Sequence, residues 1–168
     1  MSPYTFDAGG KMTEEKFTLR RATLKDIDIL AYQRREMFSD MGLFTKKEAK
    51  TGDKAYISWV KEKIKTGKVI GFMIENPAGR IVAGGCLWLK ERPPRPLLKK
   101  KDVPYLFSVH TERAYRGKGL ATRIVKESIK WAKNHGYPRV ELHASKQGEP
   151  IYTRLGFEKN NEMIYKIK

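Results

Sequence analysis

Arg116-Gly117-Lys118-Gly119-Leu120-Ala121 is the stretch of this chain best equipped to meet a ligand. It follows an apolar segment, Val103 to Thr111, and opens a strongly amphipathic one. Glycines at 117 and 119 admit positive φ and let a ligand come close to the backbone. Free N–H groups of a first helical turn, with the positive end of the helix dipole behind them, suit phosphate or pyrophosphate. A bare strand-to-helix turn would use the same glycines. Two phosphate motifs can be tested against the spacing. A P-loop, Gly-x-x-x-x-Gly-Lys-Ser/Thr, fails because Glu112 stands at its first glycine and Gly119 at its hydroxyl position. A dinucleotide fingerprint fits Gly117 and Gly119 but meets Thr122 at its third small residue. Glu141, 22 positions after Gly119, keeps that reading as a minor alternative, although no second mononucleotide-binding half follows.

A second feature lies 31 positions beyond Ala121: Tyr152-Thr153-Arg154-Leu155-Gly156-Phe157. Alone, a tyrosine before a helix-ending glycine and an apolar anchor reads as packing. Together the two features are far more specific. Arg116 to Ala121 satisfies Arg/Gln-x-x-Gly-x-Gly/Ala, and with Tyr-x-x-Leu-Gly-Phe downstream the chain resembles the GNAT acetyltransferase superfamily over residues 17–168. Ala121 fills the last motif slot in place of the commoner glycine, and Asn161-Glu162-Met163 adds a weaker likeness to small prokaryotic members. The resemblance implies an N-acetyltransferase that moves the acetyl group of acetyl-CoA to a primary amine by direct attack in a ternary complex. It implies that Arg116, Gly117, Lys118, Gly119, Leu120, Ala121 and Thr122 hold the cofactor pyrophosphate. It assigns the pantetheine and thioester to the backbone of Val109, His110 and Thr111, and protonation of the departing thiolate to Tyr152.

Acetyl transfer asks for a neutral amine, a stabilised oxyanion and a protonated leaving group. An amine of pKa ~10.4 is only about 0.04% neutral at pH 7, so a site must take its proton or depress its pKa by desolvation. Backbone N–H groups can polarise a thioester carbonyl without moving. A tyrosine is protonated at neutral pH and can donate to a thiolate. For the general base, Glu36, His110, Glu112 and Glu149 are the candidates, though each reads first as a solvent-facing or structural group; a water relay to a distant carboxylate is a further option. Cys86, the single cysteine, sits beside Gly85 in an apolar run and reads as a buried thiol.

The elements that must position these groups follow from periodicity. Residues 1–12, with Pro3, Gly9 and Gly10, read as a mobile leader, and 13–168 as one domain. Phe17–Ala22 partly alternates as a first strand, and Thr23 can cap a helix from about Leu24 whose Ile27, Leu30 and Ala31 share a face with Met37 and Phe38. A second helix spans about 54–65. Residues 68–75 and 81–89 flank Asn76-Pro77-Ala78-Gly79 and predict a β-hairpin. Pro93, Pro94 and Pro96 break the chain into a basic loop over 90–102, followed by a strand at 103–111. Ala121, Ile124, Val125, Ser128, Ile129 and Ala132 form one face of a helix that Gly136 ends. A strand at 139–144, a short helix at 149–155 and a last strand at 163–167 complete an α/β domain of single-domain GNAT-like fold, a mixed central sheet flanked by helices.

Composition narrows the setting. The 168 residues suit one domain, 40% hydrophobic content argues against a disordered chain, and the longest apolar run, Ile81–Leu89, is too short to span a bilayer. One cysteine and three histidines disfavour an internal disulfide and the usual zinc clusters. No metal and no membrane partner is expected; the expected setting is the cytoplasm, as monomer or homodimer. Net charge is +16, with Lys99-Lys100-Lys101 the densest cluster. Such charge attracts phosphorylated cofactors and leaves open, as an alternative, a nucleic-acid-binding module or an acyl-CoA sensor without turnover. The interleaved aromatic and basic residues of a single-strand binder are not evident. The field disfavours strongly cationic acceptors.

Overall fold

The computed structural model describes residues 4–6, 12–14, 16–94, 96 and 100–167. Most of the expected leader, positions 1–3 and 7–11, lies outside the described residues, as does Lys99 of the basic cluster. The described pieces of the amino-terminal segment, β1 (Tyr4–Phe6) and β2 (Met12–Glu14), pair antiparallel.

A five-stranded sheet carries the rest, in the order β3 (Thr18–Arg21), β4 (Val69–Glu75), β5 (Ile81–Glu91), β6 (Asp102–Thr111), β7 (Glu141–Leu142). The first four are antiparallel neighbours; β7 runs parallel to β6. β4 shows why the sheet needs cover on both faces. Ile70, Phe72 and Ile74 pack with Leu120, Ile124 and Val125 of α4 (Leu120–Asn134), while Val69 and Met73 pack with Ile27 and Leu30 of α1 (Ile27–Asp40) and Val60 of α3 (Asp53–Lys65). Alternation along one strand thus feeds two cores. The hairpin turn is held by Asn76, whose Oδ1 accepts from the N–H groups of Ala78 and Arg80 at 3.1 and 2.9 Å.

The start of α1 is fixed by a capping box inside a 3-10 turn, Leu24–Asp26. Thr23 Oγ1 accepts from Lys25 N at 3.2 Å, and Asp26 Oδ2 accepts from Thr23 N at 2.7 Å. Asp26 also receives Arg20 of β3 at 2.8 and 2.9 Å, and Arg20 reaches Glu75 of β4 at 2.6 Å.

Three expectations change. A helix not foreseen, α2 (Lys46–Thr51), precedes α3; its Thr45–Glu48 capping box closes at 2.8 and 3.2 Å. The strand expected at 139–144 is only two residues long. Residues 163–167 form no strand: a strand needs a ladder, β7 offers a very short one, and Met163, Ile164, Tyr165 and Ile167 lie almost fully exposed. The remaining helix, α5 (Glu149–Arg154), matches the expected position.

Candidate functional site

The site begins with an extra residue in β6. Gly84 pairs with His110 and Cys86 with Phe107, so Gly85 faces both Ser108 and Val109. This is a β-bulge, and Ser108 takes φ 53°, the left-handed region that serine rarely enters. Opposite it, Gly85 lets Val109 and α4 close over the strand: a Cβ there would come within 2.8 Å of Ile124 Cγ2 and 3.2 Å of Val109 Cγ2. Phe107 and Ser108 consequently both face the α1–α3 side, Phe107 packing with that core and Ser108 Oγ accepting from Arg34 Nη1 at 3.0 Å. Val109 returns to the α4 side.

β7 pairs with β6 only at Tyr105–Glu141 and Leu106–Leu142. Glu141 is anchored by Arg92 and by Arg139, the latter at 2.8 Å. Past these pairs the two strands separate, and a cavity of about 750 Å³ opens along the fork. Ser108, Val109, His143, Ser145 and Tyr152 line it on the sheet side; Arg34, Phe38 and Tyr56 line it from α1 and α3.

At the far end of β6 lies the glycine loop. Gly117 and Gly119 take φ 78° and 73°, as positive-φ positions require, and no atom would meet a Cβ at either. Gly119 is the N-cap of α4 and supplies no side-chain cap, so the first-turn N–H groups at Leu120, Ala121 and Thr122 lack the usual side-chain acceptor. Arg116 Nε donates to the carbonyl of Thr111 at 3.0 Å, fastening the loop to the end of β6. Asp40, at the C-terminal end of α1, binds both Arg113, at 2.6 Å, and Arg116. Burial works against the Asp40 charge, but these guanidiniums outweigh it and hold the carboxyl below its ordinary value. Lys118 Nζ lies 5.5 Å from the ring centres of Phe17 and Tyr115.

Val109 and Tyr152 therefore share the cavity, while His110, Thr111 and Arg116 to Thr122 lie on the continuation of β6 into α4. His110 is buried, and burial lowers its imidazole pKa; its Nδ1 sits 4.0 Å from Asp40. Thr111 Oγ1 is buried without a hydrogen-bond partner among the described residues. Tyr152 packs on the α4 core and meets Phe157 edge to face at 5.7 Å; burial raises its phenol pKa, which keeps it a proton donor at neutral pH.

None of the four candidate bases lines the cavity. Glu36 holds Lys46 at 2.9 Å, Glu112 holds Arg80 at 2.8 Å and Glu149 holds Lys159 at 2.6 Å. His143 and Asp53 do line it, Asp53 paired with Arg35. The sequence pattern gave no reason to select them, nor Arg34 and Tyr56, because the fork gathers residues distant in the chain. Cys86 is fully buried and its thiol is pushed up to about 12 by burial, as an inert core thiol would be.

Comparison with known proteins agrees with this geometry. A family model, Acetyltransferase (GNAT) family, matches residues 22–157. An uncharacterized N-acetyltransferase of Methanocaldococcus jannaschii is 24% identical over 145 residues, covering 84% of this chain and 61% of the relative. The chain thus spans less than two thirds of that relative's length. Among solved structures, a GCN5-related N-acetyltransferase from Ralstonia eutropha superposes with TM-score 0.82 at 22% identity, over 90% of this chain and 99% of the other. A predicted acetyltransferase from Clostridium acetobutylicum, solved with acetyl-CoA, gives TM-score 0.81 at 25% identity, over 90% and 96%.

Proposed function

The chain belongs to the acetyltransferase (GNAT) family, and from that premise we propose that it transfers the acetyl group of acetyl-CoA to a primary amine, by direct attack with both substrates bound. The observation that supports this reading is that the cavity holding Tyr152 reaches Val109 of β6, the strand whose following residues run on to the uncapped start of α4. The residues present fit the cofactor. The positive-φ glycines leave room above the loop, and the first turn of α4 presents donors suited to a pyrophosphate. Acetyl-CoA supplies the activated acetyl group. In this reading Arg116, Gly117, Lys118, Gly119, Leu120, Ala121 and Thr122 bind the pyrophosphate, and the backbone of Val109, His110 and Thr111 orients the pantetheine and polarises the carbonyl.

Tyr152 Oη gives its proton to the departing sulfur. The cavity-facing His143 imidazole takes the proton of the amine; Asp53 would have to leave Arg35 to do so. Apolar walls from α1 and α3 desolvate an ammonium and favour its neutral form. A cytoplasmic setting, a monomeric or homodimeric state and a domain beginning near residue 13 complete the proposal. No helix among the described residues is long and apolar enough to cross a membrane.

The test has two stages. Acetyl-CoA at ~100 times its dissociation constant should stabilise the fold by about 2.7 kcal/mol. Tyr152→Phe should then retain folding and acetyl-CoA affinity while turnover falls ~10² to 10⁴-fold. Absent stabilisation and absent calorimetric binding would refute the cofactor assignment. Wild-type turnover of a folded Tyr152→Phe protein, with chemistry rate-limiting, would remove Tyr152 from the reaction.

A further inference from the structure

Most arginines of this protein are matched to acids: Arg20 to Asp26 and Glu75, Arg35 to Asp53, Arg80 to Glu112, Arg92 and Arg139 to Glu141, Arg113 and Arg116 to Asp40. Arg34 differs. It is partly buried on the cavity wall, and no carboxylate among the described residues pairs with it. Its guanidinium lies 4.5 Å from the Phe38 ring centre and 4.9 Å from that of Tyr56. One N–H donates to Ser108 Oγ. A guanidinium has five N–H donors, so most of its bonding capacity is unspent. Beside it, the Tyr56 hydroxyl is shielded from water; the Ser108 hydroxyl lies near it, but no well-formed hydrogen bond joins Tyr56 Oη to any described residue.

A cation withdrawn from water without a counter-ion is costly, and so is an unbonded buried hydroxyl. Both costs fall at one place and both call for the same chemistry: an acceptor of hydrogen bonds that carries negative charge. Asp53 cannot supply it, being engaged by Arg35. The wall beyond is aromatic. Trp59 stacks near Tyr56 at 6.2 Å and meets Trp88 and Phe107 edge to face at 5.4 and 5.9 Å.

Resting on the acetyl-transfer reading, we propose that the acceptor is a primary amine that also carries an oxyanion, carboxylate or phosphate, seated on the Arg34 guanidinium and the Tyr56 hydroxyl. Its apolar body lies against Trp59, Trp88 and Phe107. The pairing also serves the chemistry. A plain ammonium is repelled by Arg34, whereas an anion-bearing amine neutralises it on entry, and any positive field left at the amine favours loss of its proton.

The experiment uses matched acceptors at saturating acetyl-CoA, followed by release of CoA thiol: phenylalanine against phenethylamine for carboxylate, and O-phosphoethanolamine against ethanolamine for phosphate. The expected result is at least a tenfold higher kcat/KM for the anionic member of one pair, which also identifies the oxyanion. Arg34→Gln should bring that ratio close to one, chiefly through KM; Arg34→Lys should restore part of it, and Tyr56→Phe should reduce it partway. Stabilisation by acetyl-CoA confirms that each variant is folded. In parallel, calorimetry on the CoA complex with 3-phenylpropionate and with ethyl phosphate should show one of them binding wild type at least tenfold tighter than Arg34→Gln. Equal or reversed preference within both pairs overturns the proposal, as does a preference that survives Arg34→Gln. If no amine reacts, failure of both anions to distinguish wild type from Arg34→Gln overturns it equally. Acetylation of neutral amines alone leaves acetyl transfer standing, whereas absence of any acetyl-CoA binding removes the reading beneath it.

Discussion

Replacing Asp26 by Asn tests how the helix that carries Arg34 is held. The Asp26 carboxylate receives two N–H groups of Arg20 at 2.8 and 2.9 Å, together with Thr23 N at 2.7 Å and Thr23 Oγ1 at 3.0 Å. The Arg20 bonds are the main reason that its pKa drops from an ordinary 3.8 to about 2, with burial opposing them. At 1.36 kcal/mol per pKa unit, that difference is worth roughly 2 kcal/mol of folding stability. The carboxyl is more acidic in the folded state, so its contribution is complete above about pH 4. It declines as the pH falls towards 2 and is absent below that. Asp26→Asn should therefore lower stability by about 2 kcal/mol at pH 7, a fall in Tm of ~4 to 8 °C for a chain of this size. Urea unfolding of both proteins at pH 7, 5, 4, 3 and 2.5 measures the gap directly. It should be constant from pH 7 to 5 and shrink steeply below 4. A gap that holds from pH 7 down to 2.5, or that opens at low pH, would show that the carboxylate charge is not what secures the start of α1.

Gly119→Val should weaken acetyl-CoA binding at least tenfold while lowering the unfolding free energy from urea titration by no more than ~1 to 2 kcal/mol, because the cost there is the left-handed backbone rather than a collision; unchanged affinity in calorimetry would reduce the loop to a turn. Gly85→Ala should destabilise by ~1 to 3 kcal/mol, since its methyl is forced against Ile124 and Val109; an unaltered midpoint would mean that the bulge yields freely. Neutralising Lys99, Lys100 and Lys101 together should slow acetyl-CoA association at low salt and leave it unchanged at high salt; loss of turnover at saturating acetyl-CoA and high salt would give these lysines a direct part in chemistry.

Where local pattern decided the outcome, the sequence was readable. Two nearly continuous apolar runs about the Asn76–Gly79 turn placed the hairpin at 68–89, which the structure forms over 69–91, and the Ile124–Val125–Ser128–Ala132 face placed α4 and its burial. The glycines at 117 and 119 were legible because positive φ is a property of the residue itself. α2 also had its signal, Thr45-x-x-Glu48, though with no buried residue the helix offers no hydrophobic stripe to reinforce it. The tail at 163–167 shows the opposite failure: apolar, strand-forming residues need a neighbouring ladder, and pairing is settled elsewhere in the fold. The cavity was least legible. Arg34 is one of many basic residues until the fold shows that no acid among the described residues pairs with it. Glu36, Glu112 and Glu149 look available until each is found holding a cation.

The bulge at Ser108 divides β6 into two phases of alternation. Before it, even-numbered Leu106 faces α4; after it, odd-numbered Val109 does. Removing Ser108 would merge the phases: the ladder with β5 would run unbroken, and every following side chain would keep its partner only by sliding the chain back one step. That slide would draw Thr111 and the Arg116 loop about one residue, ~3.3 Å, back along the strand, out of register with the Asp40 contacts that Arg113 and Arg116 now make. A single added residue thus acts as a spacer, setting how far the chain extends before it turns into the helix.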